Sequence, residues 1–257
     1  MNLKNLTIGY GSHAVQRDLT LQIRRGEMVC VLGKNGCGKS TLLRTLAGLQ
    51  PALSGACIMP DGTNIISLTE RERAQQVAIV LTERLSADNT TVNDVVAMGR
   101  YPYSGWLGAL HDNDRQIIDD ALHATEIYHK KDTFFNQLSD GEKQRVLISK
   151  ALAQQTPYIF LDEPTAHLDL PNRIKTLLLL RHLAHHEHKA IVISTHELDL
   201  ALQTADTIWL MTPGEGITVG TPKNLVGNGD FQHAFADTHF SFSTTDGHLR
   251  IQIKEHS

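Results

Sequence analysis

Met28-Val29-Cys30-Val31-Leu32, running into Gly33-Lys34-Asn35-Gly36-Cys37-Gly38-Lys39-Ser40-Thr41, decides how this chain is read. Gly33 to Ser40 fits G-x-x-x-x-G-K-[ST] without a mismatch, the spacing of a loop that wraps nucleotide phosphates. The flanks agree. Met28 to Leu32 reads as a short buried strand, and Leu42 to Leu49 has helical spacing. Strand, glycine-rich turn and helix are what the chemistry needs. Glycines let successive N–H groups converge on phosphate oxygens, and the helix N-terminus adds partial positive charge. Gly33, Asn35, Gly36, Cys37, Gly38 and Thr41 are then the lining. Lys39 is placed to reach the β- and γ-phosphates, and the Ser40 hydroxyl to ligate Mg²⁺. Cys37 beside Lys39 is a candidate low-pKa, alkylatable thiol; the plainer reading is a small side chain that fits.

Length and composition set the bounds. The 257 residues suffice for one large α/β domain or a domain carrying an insertion. With 41% hydrophobic and 20% charged residues the chain has ordinary globular composition. No uninterrupted apolar run approaches the roughly 20 residues of a membrane-spanning helix. Met1 to Tyr10 has neither the basic nor the apolar region of a signal peptide. Any membrane role must therefore come through a partner. Cys30, Cys37 and Cys57 lack metal-ligand spacing and cannot all pair, which points to a reducing cytoplasm. A net charge of −4 leaves no footprint of a nucleic-acid surface.

Along the chain, Asn2 to Gly9 and Leu19 to Ile23 alternate as half-exposed strands. Tyr10 between them is either a strand-end aromatic or a platform for an adenine ring. Ala56 to Met59 and Val77 to Leu81 read as further strands, with Leu68 to Gln76 helical. From Arg84 to Asn136 helical periodicity dominates, in Val92 to Met98 and Asp112 to Ile127, so an inserted helical subdomain is expected at about 84–150. Tyr101, Tyr103 and Trp106 either cap its core or form a contact surface. Tyr158 to Leu161 and Ala190 to Ser194 are strands flanking a helix at Asn172 to Ala184, and Ile208 to Met211 with Ile217 to Val219 make a hairpin. His182, His185, His186 and His188 suit a helix C-terminus better than a metal site, having no carboxylate or thiol in register. The tail from Lys223 onward says little.

A phosphate loop needs an acid on a neighbouring strand to hold Mg²⁺, and Asp162, after four apolar residues, fits. Glu163, next in line, is placed to act as general base on the attacking water. Leu138-Ser139-Asp140-Gly141-Glu142-Lys143-Gln144-Arg145 is a helix start, with Ser139 capping and Glu142 three residues on as in a capping box. Its open amides make a second phosphate-binding end.

Together these segments resemble the nucleotide-binding subunits of ABC transporters over nearly the whole chain. Gly33 to Ser40 is similar to the Walker A loop, and Tyr10 stands where that family has its adenine-stacking aromatic. Leu138 to Gln144 resembles the signature, Tyr158 to Glu163 resembles Walker B with its catalytic glutamate, and Ala166 to Asp169 resembles the D-loop. His196 in Ser194-Thr195-His196 resembles the switch histidine. Two positions depart: Asp140 stands at a signature glycine, and Thr82-Glu83 stands where the Q-loop glutamine is expected, so Thr82 or Glu83 is the candidate ligand there. Val92 to Pro102 and Ser194 to Ala201 are most similar to the ATPases of iron-siderophore, haem and cobalamin importers.

The resemblance implies an α/β fold. Its P-loop NTPase core is a RecA-like mixed sheet with flanking helices, carrying an N-terminal antiparallel β subdomain and an inserted helical signature subdomain. It implies ATP and Mg²⁺, with catalytic roles for Lys39, Glu163 and His196. ATP would be held between two head-to-tail copies, Ser139 and Gly141 of one facing the Walker A loop of the other. The implied partners are a second copy, integral membrane permease subunits and, through them, a substrate-binding protein, at the cytoplasmic face of the inner membrane. The alternative is a soluble ABC-type ATPase serving as an assembly scaffold, as in iron–sulfur cluster biogenesis, whose signature Gly141-Glu142-Lys143 resembles. A DNA-repair or ribosomal ABC protein normally carries two nucleotide domains or long coiled coils, and neither is here.

Overall fold

The computed structural model describes residues 1–81, 89–105, 109–166, 168–235, 240–245 and 248–253, the last two stretches by their backbone. Thr82, Glu83, Trp106 and His167 lie outside the described residues. The chain opens with β1 (Asn2–Tyr10), β2 (His13–Gln22), β3 (Glu27–Gly33), α1 (Lys39–Leu46) and β4 (Ser54–Ile58). Next come α2 (Glu70–Gln76), β5 (Val77–Val80), α3 (Val92–Ala97), α4 (Asp112–Ala124) and α5 (Asp140–Ala153). Then follow β6 (Tyr158–Asp162), α6 (Leu170–His185), β7 (Ala190–Ser194), α7 (Leu198–Thr204), β8 (Thr207–Thr212) and β9 (Gly216–Gly220). Two short helices, α8 (Pro222–Gly227) and α9 (Asp230–Ala234), precede the strands β10 (Phe240–Thr245) and β11 (His248–Ile253).

A six-stranded sheet in the order β5-β6-β7-β3-β8-β9 forms the centre. Its first five strands run parallel and only β9 turns back along β8. Parallel strands are covered on both faces, which is why Tyr158–Asp162 and Ala190–Ser194 are buried at every residue and read as apolar runs up to their last, polar residue. One face packs with α1 and the antiparallel sheet β2-β1-β4, joining Leu6, Ile8, Leu42, Val31, Val192 and Trp209 in one cluster. The other face packs Leu32, Leu161 and Ile193 against Leu177 and Leu180 of α6. A third cluster joins Val95 and Val96 of α3, Ile118 and Leu122 of α4, and Val146 of α5.

Boundaries follow local chemistry. β2 begins at His13, earlier than its apolar alternation suggests, because it zips against β1 from Tyr10↔His13 onward. The first turn of α1 is the polar Lys39-Ser40-Thr41, so the helix starts before its hydrophobic spacing does. Asp169 caps α6 by accepting from Asn172 N at 3.0 Å, and Pro171 opens the first turn, where its missing N–H costs nothing. In the last strands the backbone register Phe240↔Ile253, Phe242↔Ile251 and Thr244↔Leu249 defines an antiparallel hairpin that sequence pattern alone left unread.

Trp209 is 1% exposed and sits in the cluster shared by the two sheets. Trp209→Ala is expected to lower unfolding free energy by about 3–5 kcal/mol, measured by urea titration.

Candidate functional site

Topology assembles the site. β6, β7 and β3 are adjacent and parallel, with Asp162 opposite Ser194 and Ser194 opposite Val31. Their C-terminal ends therefore bring Gly33–Ser40, Asp162–Glu163 and Thr195–His196 to one edge of the sheet, the edge at which open α/β sheets bind ligands.

The loop leaves β3 at Gly33, where a Cβ would lie 2.5 Å from Met211 O and 2.7 Å from Cys37 Sγ. Gly36 has φ +79° and open space where a side chain would stand, while Gly38, φ +105°, begins α1. Asn35 is exposed at the loop tip, and Ser40 is exposed in the first turn of α1. Lys39 folds back over the loop: its Nζ donates to Gly33 O at 2.8 Å and Lys34 O at 3.3 Å. Thr41 points the other way and donates to Tyr10 Oη at 3.1 Å, bringing the exposed ring of Tyr10 beside the loop. Burial pushes the Cys37 thiol up, outweighing the opposing charge of Lys39. Cys37 is 2% exposed, which favours the plainer reading of a small side chain that fits.

Across the edge, buried Asp162 accepts from the Ser194 hydroxyl. The next residue, Glu163, has φ +48°, the left-handed region that glycine tolerates and glutamate rarely adopts. Its N–H donates to both Ser194 O (3.1 Å) and Ser194 Oγ (3.0 Å), which fixes that conformation. Glu163 Oε1 lies 3.6 Å from His196 Nδ1. The following Glu197 accepts from Thr165 Oγ1 at 3.1 Å and pairs with Arg173 at 3.4 Å, tying the histidine loop to α6. An open-sided glycine loop, an ammonium on its carbonyls and a helix N-terminus fit a triphosphate. A hydroxyl at Ser40 and a carboxylate at Asp162 are the hard oxygen donors Mg²⁺ takes.

Ser139 and Gly141 stand at the start of α5, where a Cβ on Gly141 would lie 3.4 Å from Leu168 Cδ2. Ser139 caps α5: its Oγ donates to Glu142 Oε2 at 3.0 Å and its N–H to the same oxygen at 2.9 Å. The Ser139 hydroxyl is thus engaged within its own chain, in the capping box that the sequence spacing predicts. Asp140 lies exposed in the first helical turn, where negative charge suits the helix dipole. The histidine run forms a His182–His186 stack, centroids 4.4 Å apart, and a His185–Asp206 contact of 2.8 Å. Thr82 and Glu83, the candidates for the Q-loop position, lie outside the described residues. Sequence reasoning missed Ser194 as the residue joining Asp162 to Glu163; its signal was only a serine closing an apolar strand.

A parallel-rich sheet with this loop at its carboxyl edge and an antiparallel sheet on one face is a P-loop ATPase cassette. The ABC transporter family model matches residues 16–166, and the chain belongs to that family. It is 37% identical over 226 residues to the petrobactin import ATP-binding protein of Bacillus anthracis, covering 88% of this chain and 82% of that protein. An inward-facing ABC transporter assigned to the metal-chelate type superposes with TM-score 0.79 at 26% identity, covering 98% of this chain and 96% of that one. A dimeric post-hydrolysis cassette bound to ADP and Pi superposes with TM-score 0.74 at 27% identity, over 86% of this chain and 98% of the other.

The Glu142 carboxyl is held down to about 2, first by Lys130 and then by the Ser139 amide. A depressed carboxyl stabilises the fold fully above its ordinary value of 4.5, and that contribution disappears as pH falls through about 2. The Tm difference between wild type and Glu142→Gln is therefore expected to be constant above about pH 5 and to shrink toward zero near pH 2 in a thermal-melt series.

Proposed function

We propose that this chain is the ATP-hydrolysing subunit of an importer for iron-siderophore, haem or cobalamin-type chelates, working as a head-to-tail pair beneath a membrane permease. The observation that carries the reading is the meeting of Lys39, Asp162, Glu163 and His196 at one sheet edge. In this reading Ser139 and Gly141 of a second copy complete each site. The chelate class rests on likeness to the petrobactin import protein and the metal-chelate-type transporter.

In this reading Lys39 leaves the carbonyls of Gly33 and Lys34 for the β- and γ-phosphates of ATP, and the amides of 36–41 cradle them. Ser40 and Asp162 would hold Mg²⁺, which neutralises charge on the phosphate oxygens when bound. Glu163 takes the proton of the attacking water, and His196, within reach of its carboxylate, contacts the γ-phosphate. Tyr10 stacks on the adenine. Ser139 of the second copy exchanges its Glu142 hydrogen bond for a phosphate contact, and Gly141 adds its amide. ATP draws the copies together only by the contacts it makes in the closed pair, so hydrolysis releases them.

The region of about 84–150 acts as the helical signature subdomain. Between α5 and the α2–β5 edge of the core lies a groove of about 700 Å³ lined by Leu49, Arg73, Val80, Leu147 and Lys150. It adjoins the strand end before Thr82, and we assign the permease contact to it, with the chain peripheral to the cytoplasmic face of the inner membrane. No helix among the described residues is long and apolar enough to cross a membrane.

Glu163→Gln is expected to keep ATP binding, lose turnover by about 100-fold or more, and accumulate an ATP-dependent dimer on size exclusion. Turnover equal to wild type removes Glu163 from its role; unchanged turnover in His196→Ala does the same for His196. Detergent extraction of native membranes should co-purify a stoichiometric polytopic membrane protein. Soluble partners alone would favour the assembly-scaffold reading instead.

A further inference from the structure

Gln16 is 2% exposed in the middle of β2, an amide side chain placed among apolar neighbours. Its Nε2 donates to two backbone carbonyls, Cys37 O at 3.3 Å and Thr212 O at 3.2 Å. The first belongs to the loop of Gly33–Ser40, the second to the end of β8. One side chain of the antiparallel sheet thus pins the glycine loop to the central sheet across a sequence separation of 21.

The neighbourhood reinforces that contact. Val15 presses on the same place: a Cβ on Gly38 would lie 2.6 Å from Val15 Cγ1. Tyr10, on the paired strand β1, holds Thr41 through its hydroxyl. Residues 37, 38 and 41 are therefore all touched from outside by β1 and β2. The planarity of the peptide bond gives Gln16 its particular effect. In a trans peptide the C=O of one residue and the N–H of the next point in opposite directions. Holding Cys37 O on the β2 side turns the Gly38 N–H away from β2, toward the concave side of the loop. Gly38, with φ +105° and no Cβ, is the residue most free to rotate otherwise.

We propose that Gln16 is a positioning residue for nucleotide binding: its amide fixes the Cys37–Gly38 peptide plane so that the loop amides are set for phosphate before ATP arrives. The proposal rests on the reading of residues 33–41 as the phosphate loop. Preorganisation of this kind raises affinity by removing the cost of ordering the loop on binding. The G-x-x-x-x-G-K-[ST] pattern does not call for it, since any apolar residue at position 16 would preserve the strand.

The test is calorimetric titration of Mg-ATP and Mg-ADP into the full-length chain as wild type, Gln16→Met, Gln16→Glu, Lys39→Ala and Thr125→Val. Gln16→Met keeps the volume and removes the donor; loss of one such bond predicts about tenfold weaker binding of both nucleotides. Gln16→Glu, which offers two carbonyls only acceptor oxygens, binds more weakly still. Thr125→Val removes a buried hydroxyl bonded to Ala121 O and Leu122 O in the helical region, and should lower Tm while leaving the ATP dissociation constant in place. Gln16→Leu, equally without a donor, serves if Gln16→Met does not fold. Wild-type affinity in both Gln16→Met and Gln16→Glu, beside weak binding by Lys39→Ala, overturns the role of Gln16 alone. Wild-type affinity in Lys39→Ala overturns the phosphate-loop reading and the proposal with it.

Discussion

Ser194 has no exposed surface, and its hydroxyl serves two neighbours at once, donating to Asp162 and accepting from the amide of Glu163. The chemistry of the edge depends on that double contact. A glutamate in the left-handed region carries a backbone cost on the order of 1–3 kcal/mol. The Glu163 N–H shared between two acceptors of one buried residue, worth about 1 kcal/mol net as a hydrogen bond, offsets part of that cost. Ser194 also stands opposite Val31, two residues before the glycine loop begins. The serine therefore ties the end of β6 to β7, whose other neighbour is β3, and the order of those three strands is what makes a site of them.

Elements whose character is local were legible in the sequence. Met28 to Leu32, Tyr158 to Leu161 and Ala190 to Ile193 are unbroken apolar runs because parallel strands are covered on both faces, and no context was needed to see them. The glycine loop announced itself by spacing. Features fixed at a distance were not legible: the left-handed backbone of Glu163 depends on Ser194, thirty-one positions away in sequence. Gln16 lay outside the apolar alternation at Leu19 to Ile23, and its burial depends on carbonyls of Cys37 and Thr212 far along the chain. The C-terminal hairpin went unread although Phe240 and Phe242, then Leu249, Ile251 and Ile253, alternate with other residues along its two strands.

The signature segment shows how one sequence change can alter two things. Glu142 closes a capping box on Ser139 and binds Lys130, so the start of α5 is secured by charge as well as by hydrogen bonds. Asp140 adds a favourable charge at the helix dipole. Both residues strengthen the helix, and Glu142 also engages the serine hydroxyl. A firmer helix end and a less available hydroxyl are the same structural fact.

Helix α5 belongs to two hydrophobic clusters at once. Ile148 and Ala151 pack with the central sheet, whereas Val146 and Ala153 pack with α3 and α4. A helix shared in this way cannot fray on one side while the other stays closed, so its amides exchange with solvent only when both clusters open together. Mechanically its capped end at Ser139 and its body, rooted in the sheet, move as one piece.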